Sequence, residues 1–363
     1  STNTNLELIA EKFGTGSEAL SDASTATITM ADGASDAFRS FSLTLTGSLS
    51  QACTVTLAPN TLSNVWVVQN SAGDTVTLTQ GTGANVVIPN GGIKMIATDG
   101  AGSGAAVTDV LDLTGGTGNV GLGSGSLGTS LTTGTDNVAI GENAGDALST
   151  GSDNTLVGDN AGGALTTGGN NIAIGSAALD AEDTGTDSVA IGFNALTAQN
   201  NDSTNYNVAI GSSAGAAITS GVQNILVGAL AGDAITTGNS NVSVGHGSLS
   251  LNTASHRNTA VGEFALANLN VTTSTNVYNV ALGYSAGAGL TTGVENTLIG
   301  SLAGDALTTG ANNVAVGYES LSTEDGHGDN VAVGYQALKA QNAGASGQNV
   351  AVGRSAGAAI TTG

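Results

Sequence analysis

Three histidines, four regularly placed aspartates, one cysteine and a series of threonine pairs are the side chains of this 363-residue chain that could do chemistry. His246, His256 and His327 lie in loop-like sequence without partners at the spacing a metal centre uses, so no metal or cofactor is expected. Asp146, Asp180, Asp233 and Asp305 fall in one column when the chain is aligned on its repeats. Two carboxylates flanking a sugar can hydrolyse a glycosidic bond, which raises a polysaccharide-degrading activity. Sugar grooves usually stack aromatic rings, however, and aromatics are 3% of the chain. No Ser-His-Asp arrangement and no Gly-Lys-Ser/Thr phosphate loop occurs, so no catalytic residue is assigned. Thr132-Thr133, Thr166-Thr167 and their repeats point opposite ways on an extended chain and read as turns rather than as an ice-binding array. Cys53 stands alone, which excludes an intrachain disulfide, and its alternating surroundings read as a small buried hydrophobe.

Composition narrows the partners. Lys and Arg number 6 against 28 acidic residues, a net charge of −22, so no basic surface for nucleic acid exists. No apolar run approaches the ~18 residues that would span a bilayer, and membrane insertion is not expected. The first residues show no charged segment followed by an apolar one, so the chain is read as made in a cytoplasm. Hydrophobic residues at 40% with charged residues at 9% exclude a disordered chain.

The element that must position any site is a repeat. A glycine follows an apolar triplet at 141, 158, 175, 192, 211, 228, 245, 262, 283, 300, 317, 334 and 353, at intervals of 17 to 21 residues. Such a period means stacked supersecondary units. The residue four before the glycine is Asn in twelve of the thirteen units, with Ser188 the exception. Asn137, Asn154, Asn171 and Asn207 are expected to form a hydrogen-bonded ladder. Gly141, Gly158, Gly175 and Gly211 are expected to turn the corner after each short strand. Period two then predicts that Ile140, Ile174, Ile191 and Ile210 point into the coil. Leu156, Leu226 and Leu298 interrupt an otherwise Ala/Ser column on the other face, and are expected to line an intersubunit seam.

Units also alternate in type. Four residues after the glycine stand Gly145, Gly162, Leu179 and Leu196, and the pattern repeats every 70 to 72 residues. Gly-type units carry a large aliphatic three residues later, as at Leu148 and Leu165, where Leu-type units mostly carry a polar residue. Each fourth unit is lengthened, by residues 200–206, 270–278 and 342–348. Thr204, Thr273 and Ala345 mark these loops, which project from one side of a solenoid and offer a contact surface.

Before the array, residues 25–30, 41–46, 53–57, 65–68, 75–79, 85–88 and 93–98 alternate polar and apolar, with turn residues between them. They read as an antiparallel sandwich or barrel with Trp66 in its core. The reading is therefore all-β: an N-terminal segment 1–20 with a short helical pattern at 6–13, a β-sandwich or barrel docking domain over 21–114, and a parallel β-solenoid over 115–363. Residues 115–118 form the hinge. The glycine-rich sequence there lacks the Asp, and the nine-residue recurrence, of a calcium-binding β-roll.

The string Asn-Val-Ala-Ile-Gly, with Ala three places later, resembles the head repeats of trimeric autotransporter adhesins and repeats in bacteriophage tail-fibre and other virion proteins. Residues 75–89 and 99–107 look like β-modules of phage tail proteins. The resemblance implies a homotrimeric structural virion protein, a tail fibre or fibre-like appendage assembled in the host cytoplasm. Its N-terminal domain would dock to other tail or adaptor proteins, and its shaft would face a host receptor or glycan. The alternative it implies is a trimeric adhesin at the cell surface. A polysaccharide-degrading tailspike is the third reading.

Overall fold

The computed structural model describes residues 12–30, 36–110, 118–128, 131–342 and 347–362. The short helical pattern at 6–13, most of the hinge and Ala345 lie largely or wholly outside them. Two compact units meet in sequence at Asp112 and Leu113. Among the described residues no helix is long and apolar enough to cross a membrane.

The first unit has two sheets. One is ordered β1 (Thr15–Leu20), β3 (Ser42–Gly47), β5 (Ser63–Ser71), β8 (Ile93–Asp99), β9 (Val107–Asp109). The other runs β2 (Thr25–Thr29), β4 (Cys53–Ala58), β6 (Val76–Thr79), β7 (Val86–Ile88). All seven anticipated runs are strands, and β1 and β9 are additional to them. β1 lies within the first twenty residues, set apart from the sandwich in the sequence reading.

The pairing corrects the antiparallel expectation. β1, β3 and β5 pair in parallel, as do β2, β4 and β6, and only β7, β8 and β9 join antiparallel. The chain crosses to the opposite sheet after each of its first five strands, so neighbours within a sheet are two strands apart in sequence. Alternating polarity marks one buried face but carries no information about strand direction. Leu43, Leu45, Val55, Leu57 and Val68 fill the core between the sheets. Trp66 lies there flat against Phe38, ring centroids 4.6 Å apart, and its indole N–H donates to the Phe38 carbonyl at 2.8 Å. That bond answers the polar atom a buried tryptophan brings with it.

The second unit is one sheet of fourteen parallel three-residue strands, β10 (Val120–Leu122) to β23 (Val350–Val352), in sequence order and one per repeat. It is a β-solenoid. Pairing holds register throughout: Ala139 opposite Leu156, Leu156 opposite Ala173, Ala209 opposite Leu226.

The two faces of these strands are the reverse of the sequence expectation. The middle residue points inward: Ala139, Leu156, Ala173, Leu226 and Leu298 are all fully buried. The flanking β-branched residues point outward, with Ile140 39% and Ile210 38% exposed. Leu156, Leu226 and Leu298 therefore pack inside one chain and cannot line a seam between chains. Period two separates the faces of a strand without saying which is the core. The coil interior is narrow, and its large side chains come mainly from the turns, so the strand supplies mostly Ala. A leucine fits where the turn residue is glycine. A Cβ added at Gly145 or Gly162 would lie 2.6 or 2.8 Å from a methyl of Leu156, and Gly215 and Gly232 hold Leu226 the same way. In the alternate units Leu179 and Leu196 fill that volume from the turn, at the cost of left-handed backbone (φ 54 and 50).

Candidate functional site

All but one of the coils from Asn137 onward carry the same polar framework. Asn137 Nδ2 donates to Asn119 Oδ1 and to the Gly151 carbonyl, both at 2.9 Å. Its own Oδ1 accepts from the backbone N–H of Asn154 at 3.0 Å, and Asn154 passes the pattern to Asn171. The asparagine column is thus a buried ladder that satisfies backbone groups at the mouth of each strand.

Ser188 breaks it. There Gln199 reaches in, its Nε2 2.8 Å from Ser188 Oγ and its Oε1 accepting from Asn207 Nδ2 at 2.9 Å, and the ladder resumes. The same Gln199 amide donates to the fully buried Glu182 at 2.9 Å. Glu182 also accepts from the Gly185 N–H (2.7 Å) and from Asn205 Nδ2 (3.1 Å), which pins the first lengthened loop to the coil interior. This network was not legible in the sequence beyond the polar residues at 182 and 199, because it depends on which coils lie adjacent.

The corner glycines are set by the stack itself. Gly141 has φ +139, and a Cβ there would lie 2.4 Å from the carbonyl oxygen of Gly158 in the next coil. Gly158, Gly175 and Gly211 are held likewise, against Gly175, Gly192 and Gly228.

The candidate chemical groups fall as follows. His246 lies 3.8 Å from Glu263 and edge-on to Phe264. His327 is closer to a metal-like setting than its sequence context suggests: its ligand atom and those of Glu324 and Asp325 lie within 4.8 Å of one another. Buried Glu324 accepts from the His327 backbone N–H at 3.1 Å and lies 2.9 Å from its Nδ1. Glu182 makes the equivalent backbone bond to Gly185 one pair of blocks earlier, where no histidine exists, so the carboxylate's role is to close the turn. Of the aspartate column, burial pushes Asp180, Asp233 and Asp305 above the ordinary carboxylate range, and Asp146 and Asp159 push Asp180 further.

His256 anchors the second lengthened loop. Its Nδ1 accepts from the Asn239 N–H at 2.8 Å, so its Nε2 carries the proton toward Ser274 Oγ, also at 2.8 Å. Burial, then Arg257, hold it below its ordinary value of 6.5. A depressed histidine stabilises the fold above 6.5, and that stability is lost as pH falls below it. The raised aspartates act oppositely, favouring the fold as pH falls toward 3.8. Melting temperature is expected to drop between pH 7 and 5.5 in the wild type and to drop less in His256→Gln. Equal drops would remove His256 as the cause.

The outer face of the sheet carries Val, Ile and Leu, with Thr155, Thr259 and Thr297 among them. Two columns run its length, one through Val138, Ile172, Val208 and Ile225, the other through Ile140, Ile174, Ile210 and Leu282. At ~4.8 Å per coil the fourteen strands extend roughly 60 Å. A long apolar strip of this kind is a candidate contact surface. Thr204 and Thr273 of the lengthened loops are exposed, while Asn205 and Val277 tie the loops down. Comparison with models of known protein families, with curated proteins and with solved structures returned no match.

Proposed function

We propose that this chain is a structural virion protein, a tail fibre or fibre-like appendage, built as a homotrimer whose copies meet along the Val/Ile face. The observation that carries the reading is that face: a stiff parallel stack with a continuous β-branched strip suits lateral association of identical shafts. Three copies around an axis would bury the strip and leave the lengthened loops outside, toward a host receptor or glycan. The first unit, a separate compact sandwich, suits docking to other tail or adaptor proteins. Assembly would take place in the host cytoplasm. The resemblance of the repeats favours threefold symmetry, and is shared by the second reading, a trimeric adhesin at the cell surface.

The test is gold labelling with antibody against residues 131–342. Label on fibres of purified virus particles supports the virion reading. Label confined to the envelope of uninfected cells replaces it with the adhesin, and release of reducing sugar from a surface polysaccharide replaces it with the tailspike.

A further inference from the structure

One corner of the array gathers aromatic side chains in its last coils. The residue after the corner glycine is Tyr284, Ser301, Tyr318, Tyr335 and Arg354 in five successive coils, placed in register by the strands that precede them. Three of the five tyrosines of the chain therefore stand in one column, and they are exposed: Tyr284 51%, Tyr318 44% and Tyr335 44%. Nothing in the interior requires a ring at these positions, since the same column holds Glu142, Ser176 and Ala229 in earlier coils as well as Phe193 and His246.

The rings define a direction. Tyr318 and Tyr335 stack with centroids 5.6 Å apart and planes 16° from parallel, and the Arg354 guanidinium covers the other side of Tyr335 at 5.5 Å. The stacked planes thus lie across the solenoid axis, one ring per coil, and the free face of Tyr318 looks toward the coil of Ser301. That coil has no ring. The next aromatic, Tyr284, is two coils away, about 9–10 Å at the spacing of parallel strands. A ring seated over Ser301 would lie ~4.8 Å from each neighbour, within the usual distance for contacts with an aromatic face.

The rim is polar. Glu319 accepts hydrogen bonds from Gln336 Nε2 at 2.8 Å and from Lys339 Nζ, which fixes a carboxylate, an amide and an ammonium beside the tyrosine stack. Ser301 offers a hydroxyl at the floor. The free face of Tyr318 on one side, the exposed Tyr284 two coils away on the other and the Glu319 carboxylate beside Tyr318 suit a pyranose, whose C–H faces are apolar and whose hydroxyls lie around its rim. A nucleotide fits poorly, because a chain of net charge −22 repels its phosphates.

We propose that the slot between Tyr284 and Tyr318, floored by Ser301, binds a hexopyranose unit of a glycan. The biological sense of this rests on the attachment reading. Glycan binding by the isolated chain and labelling of particles are separate measurements, so either can fail alone.

The experiment is to probe the full chain on a printed array of bacterial and host oligosaccharides, then titrate the saccharide it holds best by calorimetry. Tyr284→Ala and Tyr318→Ala are each expected to weaken binding about tenfold or more. Ser301→Tyr, which fills the slot with a ring the column already accepts, is expected to abolish it. Tyr206→Ala, on another corner, is expected to bind as the wild type. All four substitutions are at half-buried or exposed side chains, and unchanged melting shows that the coils persist. An array with no saccharide bound, or wild-type affinity in Ser301→Tyr, overturns the proposal. A change in oligomeric mass in the tyrosine variants also overturns it, since the column would then be a contact between copies.

Discussion

Leu226→Asp is expected to unfold the central coils of the array, whereas Ile210→Asp, on the neighbouring strand, leaves a folded chain. Leu226 is fully buried between Gly215 and Gly232, with its methyl groups 2.7 and 2.9 Å from where their side chains would begin. Removing it costs about 2–5 kcal/mol in lost packing. The hydroxyl opposite, on Ser243 of the next coil, is already engaged with Ser248, and a buried charge without adequate partners costs several kcal/mol more. The sum approaches the whole stability of an ordinary domain, about 5–15 kcal/mol. Ile210 is 38% exposed on the outer face, so the same change there should cost a single chain about 1 kcal/mol or less. Its effect should instead appear as weaker association. Circular dichroism melting of the two variants distinguishes them, and the opposite order of stabilities would restore the original assignment of the faces.

Gly211→Ala is expected to be nearly as damaging although it adds one methyl group. The new Cβ would lie 2.5 Å from both the carbonyl carbon and the carbonyl oxygen of Gly228, and the backbone at Gly211 has φ +139. Strain of this kind costs about 1–3 kcal/mol at a single residue, and the contact with the next coil adds to it because neither backbone can retreat without breaking the ladder. A loss of about 3 kcal/mol or more is expected in urea unfolding. Ser212→Ala, next in sequence and exposed, should be neutral within about 0.5 kcal/mol. Equal midpoints for the two variants would mean that the coils are not in the close contact described.

What could be read from the residues follows the physics of each signal. Coil number and strand position were legible because Asn137, Gly141 and their repeats answer to local backbone demands that recur in every coil. The facing of the strand was not. Val138, Ala139 and Ile140 are all apolar, and only the volume supplied by Leu148, Leu165 and Leu179 from the turns decides that the small residue goes inward. Leu156 looked like an exposed anomaly because its partners, Gly145 and Gly162, are separated from it in sequence and meet it only across the coil. The bridging of Ser188 by Gln199, and the seating of Asn205 on Glu182, depend likewise on neighbours brought together by stacking. In the first unit, Cys53, Val55 and Leu57 announced a buried face, but nothing in their alternation distinguishes a parallel neighbour from an antiparallel one.

The consequence of the corrected facing is that the proposed homotrimer would form through the apolar strip rather than through the leucine column. Thirteen repeats keep Val, Ile, Leu or Thr at both flanking positions, although each of those side chains stands outside its own coil. β-branched residues favour the strand whichever way they point, but left open along the whole stack they would also expose a single chain to aggregation.

Sedimentation equilibrium of the full chain tests that claim most directly, run beside a variant carrying both Ile210→Asp and Ile225→Asp. Association through the strip predicts a multiple of the chain mass for the wild type, threefold for the proposed trimer, and a folded species of lower mass for the variant. A wild type that sediments as one chain at micromolar concentration would contradict the account.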